Sequence, residues 1–130
     1  MTRPASKAAN RAEAIARLND LARRAMGLAC TAVASQGFRA LSQNDQSRVR
    51  ELIETFDAFT PDNDPHGERD FGAIYQDASG HWTTQRQRNP RETVFWKIDY
   101  YDRDLQWASK DATNAAITLR VLTIMLAEDY

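Results

Sequence analysis

Five acids and a histidine lie within residues 57–72, close enough together to suggest metal binding or proton transfer. Asp62 and Asp64 have the spacing that opens a calcium-binding loop, and Gly67 fills the sixth position that such a loop reserves for glycine. The twelfth position is Ala73, however, where a calcium loop needs a bidentate glutamate, and one histidine without paired cysteines is too few for zinc. We therefore expect neither a bound metal nor a cofactor. The acids and the histidine are Asp57, Asp62, Asp64, His66, Glu68 and Asp70.

The run 64–67 favours a structural role for this segment. Asp64, Pro65 and Gly67 occupy the first, second and fourth positions of a type I turn, and each is a preferred residue there. Asp62 and Asp64 can also accept hydrogen bonds from backbone N–H groups of the loop. Turn building is thus the first interpretation, and acid–base chemistry and partner binding stay open beside it.

Lys97 and Asp99 raise a second chemical hypothesis, a metal-dependent nuclease in which a lysine lies beside acid ligands. The usual pattern has an acid two residues before the lysine, and that position is Phe95. A salt bridge within the sheet therefore explains Lys97 better. The hydrolase alternative would combine Lys97 with the acids at 62, 64, 68 and 70.

Aromatic and acidic residues cluster from Tyr100 to Trp107, a composition that recurs where proteins bind other proteins. Tyr101 and Asp102 are its central members. Acids outnumber bases over residues 99–104, so direct nucleic-acid binding is not expected here. This stretch therefore predicts a contact surface for a protein partner.

Composition predicts one soluble, cytoplasmic domain covering residues 1–130, with a flexible segment at residues 1–10. The chain has 42% apolar residues and no apolar run long enough to cross a bilayer. Its net charge of −1 conceals an asymmetry, +6 over residues 1–50 and −7 over residues 51–130. The acidic part should attract basic protein surfaces and repel phosphate.

Hydrophobic periodicity predicts an α+β domain in the order α-β-α-β-β-α, with an antiparallel sheet of about three strands and three helices packed on it. In the strand 92–102, Trp96 and Ile98 point to the core, while Lys97, Asp99 and Tyr101 point the other way. The segment 111–129 is read as a helix because its leucines fall at helical spacing. The predicted elements are helix 6–27, strand 28–35, helix 42–56, strand 70–77, strand 92–102 and helix 111–129.

Three runs together resemble a family of short bacterial proteins of unknown function that is common on plasmids and other mobile elements. The runs are F-D-A-F-T-P-D-N-D-P-H-G-E-R-D-F-G (56–72), F-W-K-I-D-Y-Y-D (95–102) and T-L-R-V-L-T-I-M-L-A-E-D-Y (118–130). Arg69 stands where that family usually has histidine, and Ala108 where it usually has glycine. The resemblance implies a role in conflict between mobile DNA and host defence. It marks Asn63, Asp64, Pro65, Gly67, Glu68, Asp70, Phe71, Gly72, Trp96, Lys97, Asp99, Tyr100, Tyr101, Asp102 and Arg120 as motif positions.

These observations predict a non-enzymatic binding protein whose loop 62–70 packs on the strand face of Lys97, Asp99 and Tyr101. The resemblance makes an anti-CRISPR or anti-restriction factor the expected type, acting by occlusion of a nucleic-acid-handling partner. A divalent-metal hydrolase or nuclease is the alternative, and a homo-oligomeric accessory domain is a third. The predicted partner-binding residues are Asp62, Asn63, Asp64, His66, Glu68, Asp70, Lys97, Asp99, Tyr101, Asp102 and Trp107.

Overall fold

Three helices and a mixed five-stranded sheet form the fold, as seen in a computed structural model that describes residues 6–130. The predicted α+β class is confirmed. Of the segment predicted to be flexible, residues 1–5 lie outside the described residues, and residues 7–10 form the first turn of α1. The elements are α1 Lys7–Arg24, β1 Thr31–Ala34, α2 Gln36–Arg39, α3 Gln43–Glu54, β2 Phe71–Gln76, β3 Trp82–Thr83, β4 Glu92–Tyr101, β5 Leu119–Leu126 and a 3₁₀ helix Ala127–Asp129.

Serine caps fix where the helices begin. The hydroxyl of Ser6 accepts the N–H of Ala9 at 3.0 Å, and that of Ser42 accepts the N–H of Asp45 at 3.1 Å. Each bond satisfies a backbone donor that the first helical turn leaves without a partner. The predicted helices at 6–27 and 42–56 are thereby confirmed as α1 and α3.

The strand order of the sheet is β1-β5-β4-β2-β3. β1 runs parallel to β5, whereas the other neighbouring pairs are antiparallel. The expected sheet of about three antiparallel strands is therefore too small and lacks the parallel pair. The two additional strands are β5 and the short β3.

The prediction of a helix at 111–129 is wrong, because residues 119–126 form β5 in the interior of the sheet. A strand between two others has apolar residues on both faces, so its leucines can also match a helical stripe. The β-branched residues Val121, Thr123 and Ile124 favour the extended backbone. Residues 111–117 form turns instead of a helical start.

The hydrophobic core lies on one side of the sheet only. All three helices contribute to it, for example through Ala22, Phe38 and Ile53. Successive side chains of each strand point to opposite faces of the sheet. We call the face whose side chains join the core the inner face, and the opposite one the outer face. Inner-face residues include Ile74, Val94, Trp96, Ile98, Tyr100, Arg120, Leu122 and Ile124. Outer-face residues include Phe71, Ala73, Tyr75, Phe95, Lys97, Asp99, Tyr101, Leu119 and Val121.

Within residues 6–130, no helix combines the length and the apolar character needed to span a bilayer. α1 is the longest helix described, and its exposed side carries charged residues such as Lys7, Arg11 and Arg17. Its buried side packs on the inner face through Ala16 and Ala22.

Candidate functional site

The acidic loop between α3 and β2 contains the turn that the sequence predicts. The N–H of Gly67 donates to the carbonyl of Asp64 at 3.1 Å, and Gly67 has a φ of 70°. The carboxylate of Asp64 accepts the N–H of Arg69 at 3.1 Å. Asp64 therefore builds the loop, and His66 at the tip of the turn is exposed.

Arg69 holds the loop against α1. Its guanidinium makes two hydrogen bonds to the carboxylate of Asp20, at 2.8 and 3.1 Å, and two to that of Glu13, at 3.2 and 3.4 Å. These bonds raise the pKa of Arg69, with that to Asp20 acting most, and the bond to Arg69 lowers the pKa of Glu13. Arg69 also has a φ of 52°, a left-handed conformation that such a side chain rarely adopts. These four bonds hold the side chain on α1.

A buried polar network continues from the loop into the sheet. The hydroxyl of Tyr100 donates to the carboxylate of Glu68 at 2.8 Å and accepts a bond from the amide of Asn19 at 2.8 Å. The amide of Asn19 also donates to the carbonyl of Glu68, and its oxygen accepts the Nε of Arg120 at 2.7 Å. Burial raises the pKa of Tyr100 far above its usual range, so the phenol stays protonated.

Asp70 is a half-buried carboxyl on the inner face, opposite Ile98. Burial, and then repulsion by Glu68 and Asp64, raise the pKa of Asp70. These three carboxyls thus lie on the side of the sheet that packs against α1. They share it with Arg23, which is ion-paired to Asp20.

Asp62 and Asn63 lie at the opposite side of the loop, where they line a groove of about 490 Å³ beside β2. We call this the β2 groove. Phe71, Tyr75 and Phe95 also line it, and residues 84–86 of the β3–β4 connection lie along it. Asn63 is held by its own loop, since its amide oxygen accepts the N–H of Thr60 and its nitrogen donates to the carbonyl of Ala58, both at 2.8 Å.

The outer face of β4 carries the predicted ion pair. Nζ of Lys97 lies 3.0 Å from a carboxylate oxygen of Asp99, and this hydrogen bond raises the pKa of Lys97. Aromatic rings lie beside the pair. The ring centroids of Phe71 and Phe95 are 5.2 Å apart, and Tyr130 packs edge-on against both of them.

The end of β4 turns through Asp102 to Trp107. The N–H of Asp102 donates to the carbonyl of Trp107 at 2.8 Å, and its carboxylate accepts the N–H of Gln106 at 3.1 Å. The Trp107 side chain is 74% exposed. Tyr101, which precedes the turn, lies on the outer face.

The predicted partner-binding residues consequently divide into two groups, one on the outer face and at the adjoining edge of β2, the other on the α1 side of the sheet. Loop 62–70 lines the β2 groove at its start, and its later part packs on α1 and Tyr100. The outer group is Asp62, Asn63, Lys97, Asp99, Tyr101, Asp102 and Trp107. The inner group is Asp64, His66, Glu68 and Asp70.

No group of three or more His, Cys, Asp or Glu side chains within residues 6–130 is arranged to hold a metal ion. Two of the loop acids are hydrogen-bonded within the fold, and a third lies apart from them. Asp64 binds the backbone of the loop, Glu68 binds Tyr100, and Asp62 lies in the β2 groove.

The family model described as a protein of unknown function (DUF3768) matches residues 34–129, which is more than half of the chain. The chain belongs to the DUF3768 family. The resemblance to a family of unknown function is thereby confirmed. No curated protein and no solved structure matches the chain.

The DUF3768 match includes the acidic loop and strands β2 to β5, whereas α1 precedes it. The ion pairs of Arg69 with Glu13 and Asp20 therefore connect the matched region to a helix outside it. Sequence reasoning overlooked Arg69 and Asn19 as organisers of the site. An arginine at position 120 within an apolar strand was the available signal, because a buried charge needs partners nearby.

Proposed function

We propose that this protein is a non-enzymatic binding protein that docks onto a basic protein surface through its outer face. The observation that carries the proposal is the one-sided core. Helices pack on the inner face of the sheet, while the outer face, apart from the buried Met125, carries partly exposed aromatic and apolar side chains beside charged ones.

The composition of the outer face supports a protein contact. Where one face of a sheet is solvated, its outward positions are usually polar. Here Phe95 and Tyr101 of β4 and Leu119 and Val121 of β5 point outward, and the exposed Trp107 lies in the turn that follows β4. Aromatic residues surrounded by a charged rim are typical of the centre of a protein interface.

The charge of the outer group supports a basic partner. Asp62, Asp99 and Asp102 contribute three carboxylates, against Lys97 as the cation paired within the group. A partner that handles nucleic acid offers a basic surface, and carboxylates placed on it would compete with phosphate. With the mobile-element setting that the resemblance implies, we propose occlusion of a host defence complex, of the anti-CRISPR or anti-restriction type.

The alternative, a divalent-metal hydrolase or nuclease, would require the loop acids to converge with Lys97. The separate positions of these acids and of Lys97 favour the protein-binding function instead. Asp62 lies in the β2 groove, Glu68 is bonded to Tyr100 on the inner face, and Lys97 is bonded to Asp99 on the outer face.

The test is affinity purification of the tagged protein from its native host, with variants of the outer group. Asp62→Lys reverses a charge that no described hydrogen bond engages, and Asp102→Asn removes a charge while keeping the oxygen that accepts the N–H of Gln106. The double variant should lose its companion protein and keep its melting temperature. Glu51→Lys on exposed α3 is the matched control and should capture normally.

Two results would overturn the proposal. The first is equal capture of the same companion by the double variant and by the Glu51→Lys control. The second is a solution mass that shows an oligomer for the wild type and a monomer for the double variant, which is the homo-oligomer alternative with the outer group in the self-interface.

A further inference from the structure

Part of the edge of β2 has no neighbouring strand. β2 pairs with β4 along all six of its residues, from Phe71 to Gln76. On its other side, β3 pairs with Tyr75 and Gln76 alone. The stretch 71–74 therefore has a strand on one side and none described on the other.

The ladder shows which backbone groups face this open side. The N–H of Ile98 donates to the carbonyl of Asp70 at 2.8 Å, so residues 70, 72 and 74 direct their backbone groups toward β4. Phe71 and Ala73 then direct theirs the opposite way. The pairing with β3 supports this assignment. Tyr75 and Asp77, which are two and four residues after Ala73 and so point the same way, pair with β3 and with the turn before it.

The chain itself prevents β3 from covering Ala73. If β3 continued, Gln85 would lie opposite Ala73, but its N–H donates to the hydroxyl of Thr83 at 3.1 Å. Its carbonyl accepts the side-chain amide of Gln87, also at 3.1 Å. Both groups that would pair with Ala73 are thus engaged, and the described hydrogen bonds include none to its N–H or carbonyl.

The β2 groove occupies the space that a continued β3 would fill. Ala73 forms part of its lining, residues 84–86 lie along one side, and residues 58–63 of the acidic loop lie along the other. Backbone groups on an open strand edge form a template with which another extended chain can pair. An extended polypeptide segment offers such groups at the required spacing.

We infer that a segment of the partner protein binds in the β2 groove as an added strand, pairing with the backbone of Phe71 and Ala73. This rests on the proposed function and specifies the form of its partner. The segment is extended, with apolar side chains at alternate positions to meet Phe95 and a basic side chain to meet Asp62. The groove lies between two loops, so it admits a single segment and not the sheet edge of a second folded copy.

The experiment uses synthetic peptides in which valine or isoleucine alternates with lysine or threonine, added to the isotope-labelled full chain. Binding should protect the amides of Phe71 and Ala73 from hydrogen exchange, whereas the amides of Gly72 and Ile74 are protected already by β4. Ala73→Pro removes the outward N–H without touching the β4 ladder and should weaken binding about tenfold. Ala73→Val keeps the N–H and is the matched control.

A second variant tests the site without proline. Thr83→Val removes the hydroxyl that holds the N–H of Gln85, so β3 should lengthen, protect Ala73 in the free protein and exclude the peptides. The inference fails if no peptide protects Ala73, if Ala73 is protected in the free wild type, or if Ala73→Pro binds as tightly as Ala73→Val. Host capture that survives Ala73→Pro but not the Asp62→Lys, Asp102→Asn double variant would remove this site and leave the proposed function standing.

Discussion

The hydroxyl of Tyr100 donates a 2.8 Å hydrogen bond to the carboxylate of Glu68 and so joins the core side of β4 to the acidic loop. The same oxygen accepts a bond from Asn19 of α1. One atom thus connects a helix, a strand and a loop. Glu68 is therefore part of the internal support of the loop, while Asp62, six residues earlier, is exposed and lines the β2 groove.

Tyr100→Phe should reduce the free energy of unfolding by about 1–3 kcal/mol, because Glu68 and Asn19 each lose a partner in a largely buried site. Chemical denaturation measures the loss. Tyr101→Phe is the matched control, since its ring lies on the outer face and no described hydrogen bond uses its hydroxyl; it should change stability by less than about 0.5 kcal/mol. Equal effects of the two substitutions would contradict the assigned role of Tyr100.

Arg69→Ala should also destabilise the fold by about 1–3 kcal/mol, because it removes the bonds that hold the loop on α1. Hydrogen exchange should show the amides of residues 62–70 opening faster in this variant. Arg17→Ala removes an exposed partner of the same Glu13 and should cost less than about 1 kcal/mol. A loop that remains protected after the loss of Arg69 would count against this arrangement.

Asp70→Asn should stabilise the protein at neutral pH. Because the pKa of Asp70 is raised in the folded state, its contribution to stability is fully present below the unfolded pKa and is lost as the pH rises through the folded pKa. Asparagine resembles the protonated acid, so the variant should melt a few degrees higher at neutral pH and show little gain at about pH 3.

Thermal melts over this pH range measure the effect of Asp70→Asn. Asp57→Asn changes an exposed acid of the same segment and should leave the melting temperature unaltered throughout. An Asp70 variant that loses stability at neutral pH would show that the charged carboxylate is the form the fold prefers.

Local patterns were sufficient to predict α1, α3, β2 and β4. Each has a clear period, and serine caps or glycine turns mark its limits. The strand β5 could not be identified in this way, because an apolar run in the middle of a sheet satisfies the helical and the extended period alike. Its position depends on β1 and β4, which lie far from it in sequence.

The candidate site was predictable in its residue types and only partly in its geometry. Alternation within β4 correctly separates Lys97, Asp99 and Tyr101 from the core. A loop has no such period, so the sequence cannot tell which side of the sheet Asp62 or Glu68 will occupy. That choice is made by α1, through Asn19 and through the two acids that bind Arg69.

Since β5 joins β1 to the rest of the sheet, residues 31–34 have no strand beside them until residues 119–126 have left the ribosome. During synthesis, the apolar sides of α1 and α3 must wait for most of the chain before they can be buried. Folding of this domain therefore depends on its last strand, and until residues 119–126 are available the nascent chain exposes apolar surface that chaperones can bind.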